Sequence, residues 1–137
     1  MKKQALLVLA LVLLVGMAPA YAQSSVIARF EIPFEFVVGN LTLPAGDYTA
    51  TYESRNGVLQ LRMDKGTPCV TVLTNAVSGN PITAGAVLRF NRYGAKHFLS
   101  QLWVSNSGRG RQIQKSDYER EVMALSLKTK GIQIAAK

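Results

Sequence analysis

Apolar and polar residues alternate along most of the chain between residues 30 and 104, which is the pattern of half-buried β-strands. The first such run covers residues 30–36 and contains Pro33, which marks an edge or a bend because proline cannot donate to a strand ladder. Further strands are predicted at 47–53, 59–63, 86–91 and 97–104. Turn signals separate them, among them Gly39-Asn40 and Asn56-Gly57, and the second of these is the strongest hairpin signal. The pattern therefore predicts several short antiparallel strands.

Residues 69–76 are apolar and β-branched enough to predict a buried strand. Cys69 begins this run and is the only cysteine of the chain, so an intramolecular disulfide is excluded. A nucleophile, a redox thiol and an intermolecular bridge are the functional alternatives for it. Because free cysteines are often buried, we expect Cys69 to be a small buried hydrophobe.

A hairpin is predicted around residues 93–95. A three-residue loop there would pair Arg92 with Lys96 and place Phe90 opposite Phe98 on the core face. The opposite face would then carry basic and aromatic side chains, a combination that suits stacking on sugars or bases. The favoured alternative is that the aromatic side chain on this face, Trp103, is covered by another element, since large apolar groups are seldom exposed.

One helix is predicted near the C-terminus, over residues 117–128. Ser116 and Glu119 have the spacing of a capping box, and Gly131 is expected to stop the helix. Three apolar side chains recur on one face: Tyr118, Val122 and Leu125. A helix of this length is marginal alone, so we expect the stripe to dock on Trp103 and Leu99, with Leu125 buried.

The predicted fold class is mostly β: an antiparallel β-sandwich or small barrel with one C-terminal amphipathic helix. Residues 132–134 would add a short last strand or a tail. The N-terminus has the three parts of a secretory signal: Lys2 and Lys3, an apolar run at 5–15, and small residues at Ala20 and Ala22. The sequence thus predicts a signal peptide at 1–22 and a single domain at 23–137, which is periplasmic or secreted after cleavage. Membrane contact is expected only through the signal peptide.

Charge is concentrated in the C-terminal part. The chain carries 16 basic and 8 acidic residues, and 10 of the basic but only 3 of the acidic residues lie from Arg89 onward. This balance suits an anionic polysaccharide, lipopolysaccharide or another envelope protein, although it is also met in basic proteins whose lysines merely face water. The glycine- and arginine-rich residues 108–111 fit either a phosphate-binding arm or a hairpin loop. The candidate binding residues are Arg89, Arg92, Lys96, Trp103, Arg109 and Arg111.

Catalytic patterns are scarce. His97 is the only histidine, and a hydrolase would have to combine it with Cys69, Ser100 or Asp117, which no motif places together. No clustered spacing of metal ligands occurs, and no cofactor is expected. We therefore expect a non-enzymatic, exported module that binds an envelope or extracellular partner. The alternatives are a structural subunit that self-associates through its sheet edges and, less favoured, a small hydrolase using His97.

Five words stand in order along the chain: IPFEFVVGN at 32–40, LPAGDY at 43–48, LRFNRYG at 88–94, FLSQLW at 98–103 and QKSDYERE at 114–121. As a set they resemble a family of small exported β-rich proteins of uncharacterised activity, abundant in acidobacterial genomes. The resemblance covers most of residues 23–137. It implies export and supplies neither an activity nor site residues.

Overall fold

The structure, a computed structural model, describes residues 24–53, 55–65, 69–81, 85–126 and 128–137. The predicted signal peptide lies outside the described residues. The fold is mostly β with one helix, as the sequence predicted. The strands are β1 (Ser24–Ile32), β2 (Phe36–Val38), β3 (Leu41–Leu43), β4 (Gly46–Glu53), β5 (Val58–Met63), β6 (Cys69–Ser78), β7 (Val87–Tyr93), β8 (Lys96–Trp103), β9 (Arg109–Ile113) and β10 (Lys128–Ala135). The helix is α1 (Asp117–Leu125).

The strands form one open, mixed sheet. Its main path is β1-β4-β5-β6-β9-β8, and β7 and β10 continue from β8. The other edge of β8 is shared, because β9 pairs with its second half and β2 pairs with its first half. The β2–β8 pair is parallel and the other strand pairs are antiparallel.

The sheet curls around one main core. Buried side chains from strands along the whole path contribute to it, among them Phe30, Tyr48, Leu61, Val70, Leu88, Leu102 and Ile113. The two end strands come together, because the backbone N–H of Lys137 donates to the carbonyl of Arg29 at 3.0 Å. The Lys137 ammonium also lies 2.6 Å from an Asp47 carboxylate oxygen. The chain terminus thus ties β10 to the β1–β4 edge.

The first predicted strand is interrupted. β1 ends at Ile32, residues 33–35 are outside the ladder, and β2 begins at Phe36. Pro33 explains the break, because it lacks the N–H that a ladder needs. The predicted turns hold, since Gly39 and Gly57 adopt φ angles of +61° and +69°, which glycine accepts without strain.

The β7–β8 hairpin differs from the predicted register. Its turn has two residues, so Tyr93 pairs with Lys96 and Phe90 pairs with Leu99. Ser100 is then an extra residue, a β-bulge that shifts the alternation along β8. As a result Leu99 enters the main core, whereas Phe98 lies in a second cluster with Val37 and Tyr93. The expected pairing of Phe90 with Phe98 is wrong.

Strand β6 is mostly exposed, contrary to the prediction. Val70 and Thr74 are buried, whereas Cys69 is exposed and Leu73 retains 69% of its surface. The apolar run suggested burial on both faces, but the sheet has one face on the core and alternate residues point away from it.

The helix is shorter than predicted and docks elsewhere. It ends at Leu125, and Lys128–Ala135 forms β10, which pairs with β7. Gly131 is not a helix stop; it lies at a register shift in β10, where a Cβ would come within 3.0 Å of the Phe90 carbonyl oxygen. Glycine therefore permits the close approach of the two strands there.

Tyr118 and Val122 of α1 pack on the second cluster, formed by Val37, Tyr93 and Phe98. Leu125 is 87% exposed, so its expected burial is wrong. Leu99 and Trp103 are not the docking partners, because the bulge turns Leu99 into the main core and other groups cover Trp103.

Candidate functional site

The Trp103 indole packs on the backbone of two glycines and not on the helix. It pairs with Gly110 across β8 and β9, and a Cβ on Gly110 would come within 2.8 Å of the indole. Gly79, in the loop after β6, approaches the far end of the ring in the same way, at 2.9 Å. Trp103 is therefore only 6% exposed and covers backbone that carries no side chain.

Arg89 is bound to the same face. Its guanidinium lies 5.0 Å from the centre of the Trp103 ring and donates to the Gln101 side-chain oxygen at 3.4 Å. Gln101 also accepts a hydrogen bond of 2.9 Å from the Trp103 indole N–H. This network holds Arg89 flat against the sheet.

Arg92 and Lys96 lie at the β7–β8 turn. Arg92 Nε donates to the Gly94 carbonyl at 2.9 Å. Lys96 donates to the Tyr118 hydroxyl, and its ammonium lies 5.1 Å from that ring, so it fastens α1 to the sheet. Lys96 and Trp103 stand at opposite ends of β8, about 23 Å apart for a strand of this length. The six predicted binding residues therefore fall into separate groups.

Arg109 and Arg111 occupy the open end of the curled sheet. They share a face of β9 with Ile113, which is part of the core. Tyr52 likewise continues the core-facing side of β4 beyond Ala50, and the Arg111 guanidinium lies 4.9 Å from the centre of its ring. These residues therefore close the core at this end. The predicted loop at 108–111 is in part a strand.

Hydrogen bonds fix the Arg111 guanidinium in place. Arg111 Nε donates to the Thr74 hydroxyl oxygen at 2.9 Å, and Nη2 donates to the Thr74 carbonyl at 2.8 Å. The Thr74 hydroxyl donates in turn to the Gly57 carbonyl at 2.6 Å. The ion pairs found in the described part of the chain include neither Arg109 nor Arg111. Both positive charges therefore remain unneutralised by carboxylates there.

Tyr52 and Arg111 form the floor of a cavity of about 710 Å³, and we call this cavity the mouth. It is larger than the cavity lined by His97 and Tyr118, than the one lined by Arg89 and Gln133, and than the one lined by Gln60 and Thr71. Ligand sites usually fall in this size range and combine apolar walls with a few polar groups. The mouth is lined by Tyr52, Ala76, Val77, Ser78, Val104, Ser107, Arg109, Gly110 and Arg111. Its charged side chains are both arginines.

His97 is placed against an aromatic ring. It stacks on Phe34 with ring centres 4.0 Å apart, beside a small cavity of about 150 Å³. Burial and, secondarily, the nearby charge of Arg92 lower the pKa of His97 below its ordinary value. Among the described residues, no hydrogen bond or ion pair joins His97 to Cys69, Ser100 or Asp117.

Within the described ranges, no group of three or more His, Cys, Asp or Glu side chains could hold a metal ion. The same part of the chain contains no helix long and apolar enough to cross a membrane.

Sequence reasoning named Arg109 and Arg111 but missed the groups that organise them, Tyr52 and Thr74. The alternation of β4 could have placed Tyr52 on the core side. Its meeting with Arg111 depends on the curl of the sheet, since β4 and β9 are not neighbours.

A scan against protein-family models, a search of curated proteins and a search of solved structures each found no match.

Proposed function

We propose that this protein is a non-catalytic, exported module that binds an anionic envelope or extracellular partner at the mouth. The observation that carries the proposal is the pair of arginines, Arg109 and Arg111, at a large cavity whose lining, in the part of the chain that the structure describes, contains no carboxylate. Anionic polysaccharide and lipopolysaccharide are the partner classes that fit this charge.

Arginine suits this role because its planar guanidinium donates two parallel hydrogen bonds to a carboxylate, sulfate or phosphate. Arg111 is already ordered by Thr74 and Tyr52, so little side-chain entropy would be lost when it binds. Arg109 is exposed on the same face of β9 and is free to follow an irregular polymer.

The test is retention of the exported protein on immobilised heparin, a sulfated polysaccharide. We expect binding at low ionic strength that weakens steeply with added salt. Arg109→Ala should elute at clearly lower salt than the unaltered protein. Arg62→Ala removes another exposed strand arginine, on β5, and should elute close to the unaltered protein. No retention at low ionic strength, or equal shifts for both variants, would refute the proposal.

Self-association through a sheet edge is a second candidate, favoured by the first half of β6. Residues 69–73 pair with β5, whereas the pairing with β9 begins only at Thr74. Leu73 is strongly exposed on this half. An unpaired edge of this kind is a template for another strand. Light scattering should then show a dimer that Leu73→Lys weakens; a monomer at high concentration counts against it.

A further inference from the structure

We infer that the ligand of the mouth is an anionic amphiphile, whose head group binds Arg109 and Arg111 and whose single alkyl chain lies along the apolar wall. The inference rests on the proposed function and names the ligand class. A hydrated polysaccharide would use the arginines alone, whereas an amphiphile would use the arginines and the wall together.

The apolar wall is the first observation. Val77 and Val104 are half-buried and Ala76 is exposed, and all three line the mouth. Ala76 shares the core-facing side of β6 with Thr74, and Val104 directly follows β8, so two separate segments supply these side chains to the wall, whereas the side chain of Val77 is on the opposite face of β6. Covering such side chains releases water from apolar surface, which favours an alkyl group over a sugar.

The floor of the mouth limits how far a chain could enter. Tyr52 and Arg111 stack there, and the core residues beyond them, including Tyr48, Ala50 and Leu59, are fully buried. An alkyl chain would therefore lie along the wall and not penetrate the core. The volume of about 710 Å³ accommodates one chain with its head group.

The arginine spacing is the second observation. Arg109 and Arg111 are two positions apart on one face of β9, so their Cα atoms are separated by about 7 Å. A single phosphate or sulfate between them can accept hydrogen bonds from both guanidiniums. Among the described residues that line the mouth, none carries a carboxylate that would compete for these donors.

The experiment uses dodecyl phosphate below its micelle concentration, with inorganic phosphate and the uncharged dodecyl maltoside as comparison probes. We expect dodecyl phosphate to bind the exported protein at least tenfold more tightly than either. In nuclear magnetic resonance spectra, the amide signals of Ser78 and Gly110 should shift, whereas those of Gln60 and Thr71, on β5 and the far half of β6, should not. Equal affinity for dodecyl phosphate and inorganic phosphate would overturn the inference.

Two variants sharpen the result. Ala76→Phe fills the mouth and should weaken dodecyl phosphate binding at least tenfold, while Thr71→Phe, exposed on the same strand, should leave it unchanged. The shift measurement on the unaltered protein decides the matter even if Ala76→Phe does not fold. Heparin binding that depends on Arg109, without preference for the alkyl chain, would overturn this inference and leave the proposed function standing. Failure of both heparin and dodecyl phosphate to bind would overturn both.

Discussion

The carboxylate of Glu119 is the buried polar contact that anchors α1, whereas the bond from Lys96 to Tyr118 is exposed. Asn91 donates to Glu119 Oε1 at 3.0 Å and the Tyr93 hydroxyl donates to the same oxygen at 3.1 Å. Glu119 is 5% exposed. Burial and the adjacent negative charge raise the pKa of Tyr93 to about 12, so the phenol remains a donor throughout the physiological range. The backbone N–H of Glu119 donates to the Ser116 side-chain oxygen, which caps the helix. The Glu119 side chain binds residues of the sheet and does not complete a capping box.

Replacing Glu119 by Ala should lower the free energy of unfolding by about 2–3 kcal/mol, because the buried Tyr93 hydroxyl and the half-buried Asn91 amide lose their acceptor. Urea denaturation measures this directly. Glu121→Ala removes an exposed carboxylate from the same helix and should change stability by no more than about 0.5 kcal/mol. Equal losses for the two variants would show that Glu119 is not an anchor.

His97 should make stability depend on pH. Burial and Arg92 lower its pKa in the folded protein, so the unfolded chain takes up a proton at a higher pH than the folded one. Stability is therefore full above the ordinary histidine pKa of 6.5 and falls as the pH decreases through the interval between the unfolded and folded values. Because the chain has one histidine, its pKa is measurable by nuclear magnetic resonance without assignment.

The control for this effect is His97→Gln. Denaturation curves at pH 8 and pH 5.5 should show a smaller loss of stability for this variant than for the unaltered protein. A His97 pKa at or above its ordinary value would contradict the expectation, since an exposed imidazole would give that result.

At the scale of elements, α1 is held by its first turns and not by its end. Tyr118 and Val122 pack on the cluster of Val37, Tyr93 and Phe98, whereas Leu125 points to solvent. Val122→Ala should therefore cost about 1 kcal/mol, and Leu125→Ala no more than about 0.5 kcal/mol. If Leu125 were buried, as its place in the amphipathic pattern predicts, Leu125→Ala would instead lower the free energy of unfolding by about 2–4 kcal/mol. Urea denaturation of both variants separates the two expectations; a larger loss for Leu125→Ala would show that the helix is longer and docks differently.

Strand β8 explains why the six predicted binding residues do not form one site. Its bulge at Ser100 changes which side chains face the core, and its length places Lys96 at one end and Trp103 at the other. Trp103 becomes a cover for Gly79 and Gly110. We therefore assign recognition to β9, where Arg109 and the N–H groups of Arg111 that Thr74 does not engage lie at the mouth.

For the whole molecule, the mouth exists because the sheet curls until β10 approaches β1. The core is sealed by Tyr52 and Arg111 at this end, and the terminal Lys137 fastens the edge through Arg29 and Asp47. The curled sheet therefore forms the mouth, which has apolar walls and two arginines without a carboxylate partner among the described residues. The residues of the mouth come from several strands, so no single strand could provide this binding surface.

Export is the prediction that concerns the entire chain. The charged start, the apolar run and the small residues at Ala20 and Ala22 predict cleavage before Gln23. Mass spectrometry of the periplasmic or secreted fraction should give a mature N-terminus at Gln23. Ala20→Leu and Ala22→Leu together should block processing, because signal peptidase requires small side chains there. An intact Met1 in the exported fraction would contradict both the signal and the domain boundary at residue 23.

The sequence was sufficient to predict local structure where one residue or one alternating run of residues decides the backbone conformation. Gly39 and Gly57 adopt positive φ where turns were predicted, β4 and β5 follow their alternation, and Ser116 caps the helix. Each of these depends on neighbours within a few residues, which the sequence displays directly.

Contacts between distant residues decided the rest. The bulge at Ser100, the exposure of β6 and the replacement of the last helical turn by β10 follow from strand pairings whose register no short pattern encodes. The sequence by itself determined a mostly β chain with one capped helix and a basic C-terminal part. Only the tertiary structure brought Tyr52 and Thr74 to Arg111 and formed the mouth, because a curled sheet joins strands that are far apart along the chain.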